Sequence, residues 1–307
     1  MNNRVKEAYK LMEKCRICPR KCGVNRLKGQ AGFCNAGLLS MISSFHAHFG
    51  EEPPISGRNG SGTIFFTHCS LRCVFCQNHP ISQIGRGKEA SAEELAGMML
   101  KLQDEGCHNI NFVTPTHYMP QILEAVFIAK EKGLKVPLVY NSGGYESIEA
   151  LEILDGVIDI YMPDMKYSED EPAKKYSNAS DYFEINKAAV KEMHRQAGDL
   201  KIEKGIAGKG ILIRHLVLPE NLAGSRKIFE FIASELSPQA YVNIMAQYYP
   251  CHLANRFPEI DRGITAREYM EAIKEAEKAG LKNGFRQVMS TIKRKRIPEW
   301  TDNLKGA

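Results

Sequence analysis

The stretch "GTIFFTHCSLRCVFCQNHP", Gly62 to Pro80, decides how the rest of the chain is read. Residues 62–68 are rich in β-branched and aromatic side chains and predict a strand. That strand runs directly into Cys69, Cys73 and Cys76, three thiols within eight residues. Thiols so close on one loop point to a metal site. Structural metal sites usually take four protein ligands, so the spacing poses the question of the fourth.

Beyond this loop the chain alternates between β-rich runs and segments of helical spacing. Strands are predicted over 62–68, 109–114, 136–141, 157–164, 210–219 and 241–249. Helices are predicted over 91–106, 119–133 and 265–280, and near 147–154, 185–197 and 224–236. Ser91 with Glu94 is a capping-box pair, and Thr265 caps the last helix. Six βα units imply a parallel sheet with right-handed crossovers, either an open doubly wound sheet or a full or partial barrel. No G-x-G-x-x-G follows a strand, which weighs against dinucleotide binding. Polar motifs follow the strands instead: the cysteines, "TPTH" (Thr114–His117), "NSGG" (Asn141–Gly144) and "PDMK" (Pro163–Lys166). A βα-barrel gathers its reactive groups on that C-terminal rim. Residues 165–182, "MKYSEDEPAKKYSNASDY", are charged and turn-rich and predict a long loop.

Composition sets outer limits. The 307 residues are 43% hydrophobic and 25% charged, with a net charge of +5, ordinary values for a soluble globular protein. The run "KRKR", Lys293 to Arg296, has no interleaved aromatics and predicts a solvated tail with no nucleic-acid partner. The stretch "MNNRVKEAYKLMEKC" lacks the apolar segment of a secretory signal, and no window is long enough to span a membrane. The expectation is a cytoplasmic protein. Nine cysteines there argue for metal or redox chemistry rather than disulfides. Seven fall between Cys15 and Cys76; the isolated Cys107 and Cys251 are expected to be small buried apolar residues.

The cysteines form two sets. Cys69, Cys73 and Cys76 can reach three corners of a [4Fe–4S] cube, a cluster normally closed by a fourth Cys. Leaving it out opens one iron to a substrate, as a catalytic zinc keeps one position free. The alternative is a zinc knuckle completed by His68 or His79, but zinc sites pair a C-x2-C with a second, distant pair. The other set, "CRICPRKCGVNRLKGQAGFC", holds Cys15, Cys18, Cys22 and Cys34. Four thiols spaced by Gly and Pro can wrap a second metal, zinc or iron–sulfur. A reduced, packed hairpin and redox-labile thiols are the alternatives.

C-x3-C-x2-C, with Phe75 just before its last Cys and a strand before its first, resembles the radical S-adenosylmethionine (SAM) superfamily. The resemblance implies a fold: α/β, a partial (β/α)6 barrel over residues 59–290. An N-terminal cysteine-rich appendage, 1–58, would precede it, and a basic tail, 291–307, would follow. It implies a [4Fe–4S] cluster whose open iron chelates SAM, with reductive cleavage to a 5′-deoxyadenosyl radical. The missing fourth ligand is then the cosubstrate.

Residues 60–250 look most like the pyruvate formate-lyase activating enzyme and its activase-like relatives. "CQNHPIS" resembles their Cys-x-Asn segment, "MPDMK" their Met-x-Asp-x-Lys segment, and "RHLVLP" (Arg214–Pro219) their Arg-containing fifth strand. The resemblance places Phe75, Asn78, Asp164, Lys166 and Arg214 at SAM, and Met162 with Asp164 at a monovalent cation. There are departures. Val113–His117 replaces a Gly-Gly-Glu, leaving the Thr114 and Thr116 hydroxyls to bind the SAM amino group. Asn141, followed by Ser142, stands where activases often carry Asp, and Gln247–Pro250 where they tend to place a His.

The implied activity is hydrogen abstraction, generating a glycyl radical on a partner enzyme or acting on another acceptor, with flavodoxin or ferredoxin as electron donor. A radical SAM enzyme acting on a small molecule or peptide is the second reading. A non-catalytic iron–sulfur or zinc electron carrier is the third; carriers tend to have closed four-Cys sites.

Overall fold

Alternation along the strands builds the molecule. The computed structural model describes residues 3–287, so the basic tail expected at 291–307, with Lys293–Arg296, lies outside the described residues. The strands are β1 (Ser40–His48), β2 (Ser61–Phe66), β3 (Lys88–Ala90), β4 (Ile110–Val113), β5 (Leu138–Ser142), β6 (Ile160–Pro163), β7 (Lys201–Glu203), β8 (Ile206–Leu216), β9 (Tyr241–Met245) and β10 (Gly284–Arg286). They form one sheet in the order β10-β9-β8-β6-β5-β4-β2-β1-β3, with β7 folded antiparallel onto β8. From β2 to β10 every neighbour is parallel. Each crossover moves the chain one place along the sheet in the same direction, which is the winding of a barrel. The barrel is partial: the outer edge of β2 carries β1, antiparallel, rather than β10.

Side chains on one sheet face, among them Ile64, Phe112, Tyr140 and Ile213, pack against the helices. Val139, Ile160, Met162 and Leu212 on the opposite face line the lumen and pack on Ile55. Burying both faces explains why these strands read as continuous apolar runs. Arg214 and His215 show the alternation directly. Arg214 points inward, whereas His215 points out, bonded to Met165 O (2.8 Å) and Ser225 Oγ (2.9 Å).

Both capping boxes form, Ser91 with Glu94 and Thr265 with Glu268, opening the helices Ala92–Asp104 and Ala266–Lys278. The segment 165–182 departs from expectation, because Asp170–Ser177 is a helix. Its charge is ordered for one: Asp170 and Glu171 lie in the first turn, Lys174 and Lys175 in the last, and Asn178 closes it in the left-handed region at φ 54°. Pro172 falls in the first turn, where it is tolerated, and Ala173, Tyr176 and Ser177 are buried. Nor did periodicity reveal β1 and β3. The helix Asn3–Glu13 lies on the helices Met119–Glu131 and Ile148–Ile153.

Candidate active site

The three-cysteine loop leaves the C-terminal end of β2 through two residues with positive φ, His68 (65°) and Arg72 (53°). Positive φ is uncommon in residues other than glycine and clusters at functional sites. The loop is tied down by backbone bonds from His68 N to Ile81 O (2.9 Å) and Val74 N to Tyr176 O (2.8 Å). Each sulfur has a hydrogen-bonding neighbour. Leu71 N donates to Cys69 Sγ (3.4 Å), Ser177 Oγ donates to Cys73 Sγ (2.9 Å), and Cys76 Sγ bonds Ser82 Oγ (3.2 Å). Burial pushes the Cys76 thiol up to about 12, and the neighbouring Cys73 and Cys69 add to it. Burial likewise raises Cys73, against the pull of the Lys166 ammonium. The three sulfurs are therefore close enough to sense one another's charge. Among the described residues no three His, Cys, Asp or Glu side chains are drawn into a single-ion shell.

Across the rim from this loop lies a charged network. Asp164, just past β6, takes Arg214 Nε on Oδ1 (2.8 Å) and Lys166 Nζ on Oδ2 (2.5 Å). Arg214 also donates to Asn141 Oδ1 (2.7 Å), joining the ends of β5, β6 and β8. Burial resists the charge on Asp164, yet Arg214 and Lys166 hold its carboxyl below the usual carboxylate range. Burial works against Lys166 too, but Asp164 and then Cys73 keep its ammonium up. Lys166 is thus the electrostatic link between the network and the cysteine loop.

Gly144 makes this approach possible. At φ 70°, a Cβ there would lie 2.2 Å from both Asp164 O and Asn186 Nδ2. Only glycine lets the end of β5 pass this close to Asp164.

The remaining expected residues are placed as follows. Thr114 ends β4 at φ 61°, a strained value for a β-branched residue, with its N–H on Asn141 O (2.9 Å). The Thr116 hydroxyl donates to Glu146 (2.6 Å). Ser142 Oγ accepts from Gly144 N (3.2 Å). Phe75 packs edge-on against Tyr248, ring centroids 5.5 Å apart. Asn78 caps the short helix His79–Ser82 through its backbone. Met162 lies among the apolar lumen residues, and its register partner is Asn141. The N-terminal cysteines lie in one hairpin, in which Gly23 N donates to Cys15 O (3.0 Å) and Phe33 N to Cys22 Sγ (3.4 Å). The rim network and the three-cysteine loop adjoin; Thr116 and Phe75 are held by protein partners.

Two groups escaped sequence reasoning. Glu51 and Glu52 stand in the expected appendage, yet they reach Arg214 and Asn243. Glu51 Oε2 lies 3.7 Å from Arg214 Nη1, and Asn243 Nδ2 donates to Glu52 Oε1 (2.5 Å). Burial, with the Glu52 charge beside it, raises the Glu51 carboxyl to about 7. Glu146 is buried between Thr116 and Tyr140 (3.1 Å), and burial raises it to about 7. Neither group stands in a recognisable motif.

The donor set fits an iron–sulfur cluster. Three thiols occupy one short loop, and each has a hydrogen-bonding neighbour. Three thiols would leave one iron of a cubane without a Cys ligand, and the nearby rim pairs ammonium, guanidinium and carboxylate, groups suited to an amino acid's carboxylate and amine.

Comparison with known proteins agrees. Residues 63–232, more than half of the chain, match the family model of the radical SAM superfamily. An uncharacterized protein of Methanocaldococcus jannaschii is 33% identical over 288 residues, 91% of this chain and 78% of that one. The pyruvate formate-lyase-activating enzyme of Clostridium pasteurianum is 29% identical over 119 residues, 36% of this chain and 48% of the enzyme. The crystal structure of methylornithine synthase superposes with a TM-score of 0.46 at 14% identity, covering 71% of this chain and 68% of that one. This chain belongs to the radical SAM superfamily, and with membership come a [4Fe–4S] cluster and SAM.

Proposed function

We propose that this radical SAM protein holds its cluster on Cys69, Cys73 and Cys76 and seats SAM against the Asn141–Asp164–Lys166–Arg214 network. When bound, the cluster supplies the electron that cleaves SAM to methionine and a 5′-deoxyadenosyl radical. The chain's own residues bind and orient. Lys166, beside Cys73, offers a cation for the carboxylate of the methionine part of SAM. Asp164 pairs with the SAM ammonium or sulfonium, exchanging part of its present partnership with Lys166 and Arg214. Thr114, strained at the end of β4, supplies a hydroxyl to the SAM amino group where activases carry an acid. Arg214, held from one side by Asp164 and approached from the other by Glu51, anchors the network to the barrel wall. Ser177 and Leu71 stabilise thiolate forms by donating to the sulfurs.

The observation that carries this reading is that Leu71 of the cysteine loop and Lys166 flank one glycine at the C-terminal rim: a Cβ on Gly143 would lie 2.8 Å from Leu71 Cδ1 and 3.8 Å from Lys166 Cε. For the acceptor, we read the chain as activase-like: the radical is passed to a backbone glycine of a partner enzyme. Support comes from the Met162-x-Asp164-x-Lys166 segment and the partial likeness to an activating enzyme. A small-molecule or peptide acceptor is the second reading. It is favoured by the lumen, where Glu52 Oε2 and Asn243 Oδ1 are buried with no hydrogen-bond partner among the described residues.

The test is anaerobic turnover with dithionite and SAM, followed by chromatography for methionine and 5′-deoxyadenosine. Both products should appear without an acceptor, and Lys166→Ala should weaken SAM binding while cluster iron stays constant. Unchanged SAM affinity in Lys166→Ala and Asp164→Ala would place the pocket elsewhere.

A further inference from the structure

The chain itself closes the bottom of the barrel. The short helix Pro53–Ser56 lies across it: Asn109 Nδ2, just before β4, donates to Ile55 O (2.8 Å), and Ser61 Oγ donates to Asn109 Oδ1 (2.6 Å). Ile55 packs on Val139, Ile160 and Leu212. The two residues that lead into this plug, Glu51 and Glu52, stand inside the lumen, between the plug and the rim network. Glu51 Oε2 is 3.7 Å from Arg214 Nη1. Asn243, the register partner of Arg214, donates its Nδ2 to Glu52 Oε1.

Charge and hydrogen bonding are both unbalanced there. The carboxylates of Asp164, Glu51 and Glu52 outnumber the cations of Lys166 and Arg214 by one. Glu52 Oε2, Asn243 Oδ1 and Asn111 Oδ1 are buried with no hydrogen-bond partner among the described residues. Their residues are 5%, 2% and 0% exposed, in that order. Ile110 and Phe112 pack on the helices, as do Val242 and Ile244, so Asn111 and Asn243 between them point into the lumen. All three unpartnered atoms are acceptors. Burying an acceptor without a donor costs its full desolvation, more so for a charged group, and folded proteins keep few such atoms.

Toward the rim the lumen wall turns apolar. Phe65 lies between the outward Ile64 and Phe66, and its register partner is Val113. The Phe65 ring is backed by His46, stacked at 5.4 Å. Solvent reaches this depth: Val113 is half-buried, and the side chains of Glu51 and Arg214 are 10% and 16% exposed. A matching ligand brings donors and a positive charge at one end and carbon at the other. A protonated primary amine has three N–H donors and no acceptor, and its alkyl part suits Phe65 and Val113.

We propose that the lumen binds an alkylammonium group, with its donors on Glu52 Oε2, Asn243 Oδ1 and Asn111 Oδ1 and its carbon chain passing Phe65 and Val113 toward the rim. The group belongs to the hydrogen-atom acceptor. This deepens the small-molecule or peptide reading above and rests on it for the acceptor's role, not for the binding itself.

The test is isothermal titration calorimetry of the full chain, with no SAM added, against n-butylammonium chloride. Controls are n-butanol and potassium chloride at matched ionic strength. Butylammonium should bind saturably, one per chain, and neither control should reproduce it. Glu52→Gln and Asn111→Leu should each weaken that binding about tenfold, the effect of one lost hydrogen bond to a charged group. Asn111→Leu removes the amide at similar volume and serves alone if Glu52→Gln does not fold. The SAM affinity of both variants should be unchanged, since neither residue belongs to the Asn141–Asp164–Lys166–Arg214 network. No saturable binding, equal binding of butanol or potassium, or affinities untouched by both substitutions would overturn the proposal, leaving buried water to meet the three oxygens. Loss of SAM and butylammonium binding together would also overturn it, by assigning these oxygens to the SAM pocket. Neither SAM nor the cluster enters the titration, so its failure leaves the proposed function standing. Unchanged SAM affinity in Lys166→Ala would likewise leave this site standing.

Discussion

Replacing Asp164 with Asn tests the rim network most sharply. The carboxylate is nearly buried, its side chain 12% exposed, between Lys166 and Arg214 at 17% and 16%. It accepts from Lys166 at 2.5 Å and from Arg214 at 2.8 Å. Asn keeps the shape and removes the charge, leaving two buried cations beside each other. Breaking a buried ion pair by removing one partner costs ~3–5 kcal/mol. Arg214 keeps Asn141 and, at 3.7 Å, Glu51, so the loss should fall near the lower end, about 3 kcal/mol at pH 7.

Anaerobic urea unfolding of the cluster-free protein measures it. The sign of the pH dependence is fixed as well. Burial opposes ionisation of Asp164, but Arg214 and Lys166 prevail and depress its folded pKa. Its contribution is therefore fully present above the unfolded carboxyl value and disappears as pH falls through the depressed one. The gap between Asp164 and Asn proteins should shrink in acid. A loss under about 1 kcal/mol at pH 7, the range of an exposed pair, or a gap that does not change with pH, would refute the buried-network argument.

Two further outcomes follow from the same geometry. Gly144→Ala should cost more than ~2 kcal/mol, since φ 70° is unfavourable for Ala and the new Cβ meets Asp164 O and Asn186 Nδ2 at 2.2 Å. In thermal melts Gly97→Ala, on the open face of helix Ala92–Asp104, should instead stabilise by up to ~1 kcal/mol; a Gly144→Ala melt that matched it would contradict the close approach. Glu146, raised to about 7 by burial, opposes folding increasingly as pH rises from its unfolded value of 4.5 toward 7. Glu146→Gln should therefore flatten the stability curve across that window and gain stability at pH 8; a curve parallel to that of the unaltered chain would rule this out.

The barrel was legible because both sheet faces are covered, so each parallel strand leaves an apolar run followed by a polar rim motif. The cysteine loop and "MPDMK" were legible as local spacings. What stayed hidden depends on contacts between distant segments. Glu51 and Glu52 fell in the stretch 1–58 read as an N-terminal cysteine-rich appendage, and only the folded barrel carries them to Arg214 and Asn243. Thr116 read as a free hydroxyl because Glu146, thirty residues on, carries no motif. The helix Asp170–Ser177 hid behind its own charge: four of its eight residues are charged, and the buried side is only Pro172, Ala173, Tyr176 and Ser177. Yet that helix supplies the hydroxyl bonded to Cys73.

The central claim is that the open three-cysteine loop holds the cluster that SAM completes. Its most direct measurement is low-temperature electron paramagnetic resonance of the reduced, anaerobically reconstituted chain, titrated with SAM and repeated with Cys69, Cys73 and Cys76 each changed to Ala. The account predicts a [4Fe–4S] signal that shifts on adding SAM and is lost in every one of the three variants, with Cys15, Cys18, Cys22 and Cys34 also changed to Ala to remove any second centre. A SAM-responsive signal that survived those changes together would contradict it.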